Sequence, residues 1–96
     1  FEIIFPNVFK IRSSSNGIFK ATVIGDGLNV IQYSLSVFDR WGNQIYENND
    51  IENGWDGSLN GQNVEQGVYV YQFSIKYIKN NIEQSKKGIG TITVLK

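Results

Sequence analysis

The chain has 96 residues, enough for one domain that buries roughly 60 to 65% of its unfolded surface and too few for a second. Apolar residues make up 41%, and nine basic residues balance nine acidic ones, a composition that excludes a disordered chain and leaves no basic footprint for nucleic acid. The absence of histidine and cysteine removes disulfides, thiolate metal sites, and every Ser/His or Cys/His nucleophile pair.

Residues 2–5 read as a short apolar strand stopped by Pro6, whose missing N–H suits a strand end or edge. Segments 8–12 and 18–24 flank a polar cluster closed by Asn16-Gly17, a pair that tolerates positive φ, so they read as a hairpin or as strand, loop and strand. After the turn signal Gly25-Asp26-Gly27, residues 30–38 alternate strictly. Ile31, Tyr33, Leu35 and Val37 form the face expected in the core. Trp41-Gly42-Asn43 turns the chain and residues 44–47 return as a short partner strand. From 48 to 66 the sequence is rich in Asn, Asp, Glu and Gly with little periodicity, and Trp55 and Leu59 are its expected anchors. Gly67 then opens the clearest strand, with Tyr69, Tyr71, Phe73, Ile75 and Tyr77 on one face. Asn80-Asn81 marks a turn, and residues 83–95 pair back with Ile92 and Val94 alternating with Thr91, Thr93 and Leu95. Lys76, Lys79, Lys86 and Lys87 cluster around that turn as solvating charges.

No stretch carries a 3.6-residue apolar period, so almost no helix is expected. About seven short strands punctuated by turn signals predict an all-β fold, a two-sheet antiparallel sandwich of immunoglobulin-like type. The Cys, Trp, Cys arrangement of true immunoglobulin domains is missing, so the likeness is one of architecture.

The chemistry available is that of carboxylates alone. A glycosidase needs two of them facing across a cleft, which a small domain with an apolar-packed interior hardly offers, so no enzyme is expected. The oxygen-rich loop 48–56 invites comparison with a calcium loop. On the EF-hand template Asp50 and Glu52 fall at positions three and five, but Asn53 stands where glycine is needed and Leu59 where a bidentate glutamate belongs. A solvated loop is expected, with an irregular cation site as the other reading; no cofactor is expected. Trp41, Trp55, Tyr46 and Tyr69 could serve as sugar-stacking platforms, but the plainer reading makes both tryptophans core plugs at the sandwich ends.

Three phrases organise the chain: Phe38-Asp39-Arg40-Trp41-Gly42-Asn43, Gly54-Trp55-Asp56-Gly57 and Gly67-Val68-Tyr69-Val70-Tyr71. With an Asn7-Val8-Phe9 opening, Asn60-Gly61 and a closing strand over 90–96, they resemble in order the gliding motility-associated C-terminal domain, the type B sorting domain of the Bacteroidetes type IX secretion system. One departure is local: members often carry an acidic Asn-Gly-Asp-Gly type loop after the opening strand, and residues 10–17 contain no carboxylate.

The resemblance implies a non-catalytic domain, here all of residues 1–96, cut from the C-terminal end of a larger exported protein whose signal peptide lies elsewhere. It implies export across the outer membrane to the cell surface or medium, with partners in the secretion machinery that include outer-membrane barrel proteins. Nucleic acid and small-molecule substrates are not expected, and the isolated domain is expected to be a monomer. Asp39, Arg40, Trp41, Asn43, Trp55, Asp56, Ile92, Val94 and Lys96 are the candidate partner-binding residues, the last three through strand addition. Gly42, Gly54, Gly57 and Gly67 are expected to make turns. The alternative function is an adhesive or carbohydrate-binding module of a surface protein.

Overall fold

The computed structural model describes residues 2–11, 18–25 and 28–96, so the Asn16-Gly17 and Asp26-Gly27 signals lie outside the described residues. Among the described residues every regular element is a strand: β1 (Glu2–Ile4), β2 (Val8–Lys10), β3 (Thr22–Ile24), β4 (Leu28–Phe38), β5 (Gln44–Asn48), β6 (Ser58–Leu59), β7 (Gln62–Asn63), β8 (Gly67–Lys79) and β9 (Ile82–Leu95). The all-β expectation holds.

The longest strands make the frame. β8 and β9 pair along their whole length, from Gly67↔Val94 to Lys79↔Ile82. Asn80 and Asn81 close the hairpin with φ of 53° and 63°, the left-handed pair that a two-residue type I′ turn requires. β4 lies on the other side of β8, and the five-stranded sheet runs β2-β9-β8-β4-β5. β2 joins β9 in parallel, which corrects the wholly antiparallel expectation. The chain enters β2 from β1, in the other layer, so no tight hairpin dictates its direction. Pro6 lies at that crossing.

A ribbon of β1 and β3 covers the inner face, extended by a bridge between Phe19 and Trp55. Alternation along β8 turns Tyr69, Tyr71, Phe73, Ile75 and Tyr77 toward this layer, where Phe5 packs 4.7 Å from the Tyr71 ring and 5.0 Å from that of Phe73. Gly90 and Gly88 of β9 lie opposite those two aromatics, and a Cβ at Gly90 would come within 2.7 Å of three Tyr71 atoms. These glycines leave the space into which the rings lie. Leu35, Val37, Ile92 and Val94 complete an interior closed to solvent.

Two local expectations differ. A β-bulge between Val30 and Gln32 shifts the alternation by one residue, so Val30, opposite Tyr77, packs against the core and Ile31 stands outside it. Leu59 is 42% exposed, because the two-residue strand β6 turns Ser58 inward instead; the 49–66 connection is held by Trp55, Ile51 and Val64. The Tyr33 hydroxyl sits in the interior without a hydrogen-bond partner among the described residues, and burial, reinforced by Tyr46, pushes its ionisation well above the ordinary phenol range.

Candidate functional site

The β4–β5 turn is built around one carboxylate. Asp39 Oδ1 accepts hydrogen bonds from the backbone N–H groups of Trp41 and Asn43, both at 2.9 Å, and Oδ2 accepts from Asn43 Nδ2 at 3.2 Å. The Asp39 N–H donates to the Asn43 carbonyl and the Gly42 N–H to the Asp39 carbonyl, while Gly42 takes φ of 83°, which an L side chain would resist. These bonds stabilise the charged form of Asp39 and hold its carboxyl below the usual carboxylate range, the Asn43 N–H contributing most. The sequence Asp-Arg-Trp-Gly-Asn is therefore a self-locked turn.

What the turn displays is Trp41, 78% exposed, with the Arg40 guanidinium carbon 5.5 Å from its ring centroid. An indole displayed in water on a hydrogen-bonded turn differs from the expected core plug. It has the makings of a contact residue, since the backbone that carries it is fixed by the turn before any partner arrives. Beside it runs a groove of about 420 Å³, with Asp39, Arg40 and Trp41 on one wall and Glu65, Gln66, Val68 and Tyr69 on the other. Tyr69 donates from its hydroxyl to the Glu65 carbonyl at 2.6 Å. Burial raises its phenol, the Glu65 and Asp39 charges add to the rise, and Arg40 opposes it, so three charges converge on one hydroxyl.

Trp55 is 1% exposed and serves the interior. Its ring packs against Phe9, Tyr46 and Tyr69, and its Nε1 donates to the Ser58 carbonyl at 3.0 Å. It therefore supports the groove from below through Tyr69. Gly54 and Gly57 allow that insertion: a Cβ on Gly54 would meet the Phe19 carbonyl at 2.6 Å, and Gly57 has φ of 83° against Ile11. Gly67, the fourth expected turn glycine, has φ of 156° at the start of β8.

Ile92 and Val94 have no exposure, and the end of β9 from Thr93 to Leu95 lies between β8 and β2, so their side chains hold the core and the last residues of the strand are not an edge. Lys96 lies elsewhere: its N–H donates to Gln66 Oε1 at 3.2 Å, which sets the C-terminal residue beside the groove. The structure thus brings Asp39, Arg40, Trp41, Asn43 and Lys96 to one neighbourhood, with Trp55 beneath it. Asp56 is used locally, accepting from the Ser58 N–H. Sequence reasoning missed Glu65, Gln66 and Val68; their only signal was proximity to Gly67.

In loop 48–56 the side chains of Asn48, Asp50 and Asn53 bond within the loop itself. Asn48 Oδ1 accepts from the Asp50 N–H, Asp50 Oδ1 from the Glu52 N–H, and Asp50 Oδ2 from Asn53 Nδ2. Among the described residues no three acidic side chains gather as a metal site would require.

With this geometry established, comparison with known families is decisive. The family model described as CHU_C Type IX secretion signal domain matches residues 3–93. The chain belongs to this family. The family is a secretion signal domain and not an enzyme class, and membership implies interaction with the type IX secretion system and export across the outer membrane. Comparison with curated proteins and with solved structures gave no match. In this secretion signal domain, the three phrases that carry the resemblance occupy distinct physical roles: the first displays Trp41, the second plugs the core with Trp55, and the third forms the groove's far wall and the central strand.

Proposed function

We propose that residues 1–96 act as the non-catalytic C-terminal targeting domain of a larger exported protein, docking on the secretion machinery through the Trp41 turn. The carrying observation is a tryptophan 78% exposed on a turn whose backbone is fixed by its own hydrogen bonds. A targeting domain needs stable folding and one distinctive surface, and no catalysis. Asp39 and Asn43 position the turn, Arg40 and Trp41 make contact, and Lys96 lies alongside. The partner is an outer-membrane barrel protein of the secretion system, the isolated domain is a monomer, and the cargo is delivered to the cell surface or the medium.

The test is a reporter fused to this domain in a type IX-competent cell. Trp41→Ala is expected to cut delivery at least tenfold, roughly the effect of losing one aromatic anchor, while leaving the domain folded. Undiminished delivery would sink the proposal. Removal of residues 92–96 is uninformative, since it deletes core side chains.

The exposed indole beside a shallow groove also favours a second reading, sugar binding by stacking. Saturable binding on a glycan array, lost in Trp41→Ala, supports that reading.

A further inference from the structure

Both walls of the groove belong to residues 39–69, and the charge of the chain is unevenly placed with respect to them. Between 39 and 66 lie Asp39, Glu47, Asp50, Glu52, Asp56 and Glu65, six of the nine acids, against Arg40 in the same stretch, with Lys20 reaching the Glu52 carbonyl at 3.5 Å and Lys96 beside Gln66 as the cations brought in from elsewhere. At the other end of the β4–β8–β9 frame, the distal half of the β8–β9 hairpin carries Lys76, Lys79, Lys86 and Lys87 with Glu83 as its one acid. The net neutrality of the sequence therefore conceals a separation of charge along a molecule 43 Å in its longest dimension.

Within the groove the pattern is finer. Glu65 and Asp39 both act on the Tyr69 hydroxyl, but Asp39 is committed to the turn by three accepted hydrogen bonds, whereas the Glu65 contact described for that residue uses its backbone carbonyl. Arg40 covers part of the Trp41 ring, and the indole remains 78% exposed. A polarisable aromatic surface beside the Glu65 carboxylate, in a region where six acids face Arg40, Lys20 and Lys96, favours a cation over an anion. An incoming guanidinium can lie along the indole and hydrogen-bond the carboxylate in one plane, a match that an aliphatic or acidic side chain lacks.

We propose that the groove between Trp41 and Glu65 receives an arginine-bearing loop of the secretion partner. The inference rests on the docking reading above and adds its chemistry: the partner surface is basic, and association is steered by the acidic end of the domain.

The test titrates the 96-residue chain with an acetylated Gly-Arg-Gly-Arg-Gly amide and with its glutamate and glutamine counterparts, following the Trp41 indole by fluorescence and by its N–H resonance. Trp55, being buried, contributes a nearly constant background. The arginine peptide is expected to give a saturable change, weakened about threefold to tenfold by Glu65→Gln and by about 0.5 M salt, and unaffected by Glu83→Gln on the distant hairpin. Preference for the glutamate peptide, equal responses to all three, no response to arginine, or saturable response to maltohexaose alone would each overturn the proposal. The two levels fail separately: delivery that survives Trp41→Ala defeats the docking reading, whereas delivery that needs Trp41 with no preference for arginine defeats only the charge assignment.

Discussion

Replacing each tryptophan by alanine separates the two roles that the sequence alone left joined. Trp55 is 1% exposed and packs against Phe9, Tyr46 and Tyr69, so its truncation empties a site walled by aromatic rings that cannot readily collapse. A buried tryptophan removes about 150 to 250 Å² from water, worth about 4 to 6 kcal/mol at 25 cal/mol per Å². Measured truncations of this kind cost about 3 to 5 kcal/mol, and losing the bond to the Ser58 carbonyl adds about 1 kcal/mol. A domain of this size has a total stability of only about 5 to 14 kcal/mol. Trp55→Ala is therefore expected to lower the urea midpoint by about 3 M, for a slope near 1.3 kcal/mol per M, and to leave the weakest such domain largely unfolded. Trp41→Ala, at 78% exposure, is expected to change stability by no more than about 0.5 kcal/mol. The assay is urea unfolding followed by far-ultraviolet circular dichroism, which does not depend on the residue removed. A Trp55→Ala loss below about 1.5 kcal/mol, or equal losses for the two variants, would refute the division into plug and displayed contact.

Gly90→Ala places a Cβ against the Tyr71 ring, which is itself confined by Phe5 and Phe19, and should cost about 1 to 3 kcal/mol, measured by thermal or urea unfolding. Tyr33→Phe removes an unpartnered buried hydroxyl and should leave stability unchanged or raise it by up to about 1 kcal/mol; a loss above that range would reveal a partner for the hydroxyl. Folding raises the ionisation of Tyr33, Tyr46, Tyr69 and Tyr71, so their contribution is complete below the unfolded phenol value of about 10 and is lost as pH climbs toward the folded values. Spectrophotometric titration should accordingly show delayed phenolate formation until the protein unfolds. For Asp39 the sign reverses. Its depressed carboxyl stabilises the turn above about pH 4, an advantage lost as pH falls through the folded value, so Asp39→Asn should speed amide exchange at Trp41 and Asn43 at neutral pH and reduce the acid dependence of that exchange.

Much of the frame was legible because its signals are local. Period-two alternation in residues 67–77 assigns Tyr69 through Tyr77 to one face whatever the neighbouring strands are, and Asn80-Asn81 specifies its turn by the φ values those residues tolerate. The reversal at Trp41-Gly42-Asn43 was likewise legible, but that Asp39 locks it was not, since Asp39 and Asn43 read as partner-binding residues and only the structure shows them bonding each other. The bulge at Ile31 was not legible, since an extra residue in β4 is defined against β8, its pairing partner. Nor was the fate of the two tryptophans, because each stands near glycines in a turn and composition treats them alike.

What the sequence determined by itself, then, was the class of fold, the inward face of β8, the reversal at Trp41-Gly42-Asn43 and, by resemblance, the secretion family. Only the tertiary structure decided that β2 runs parallel to β9 and covers its last residues, and that Trp55 is a plug while Trp41 faces water. It alone placed Glu65, Gln66 and Lys96 beside the Trp41 turn. The physical reason is range: turn chemistry and alternation act between residues a few positions apart, whereas burial and pairing depend on which distant segment arrives opposite, as Phe19 does for Trp55 and Gly90 for Tyr71.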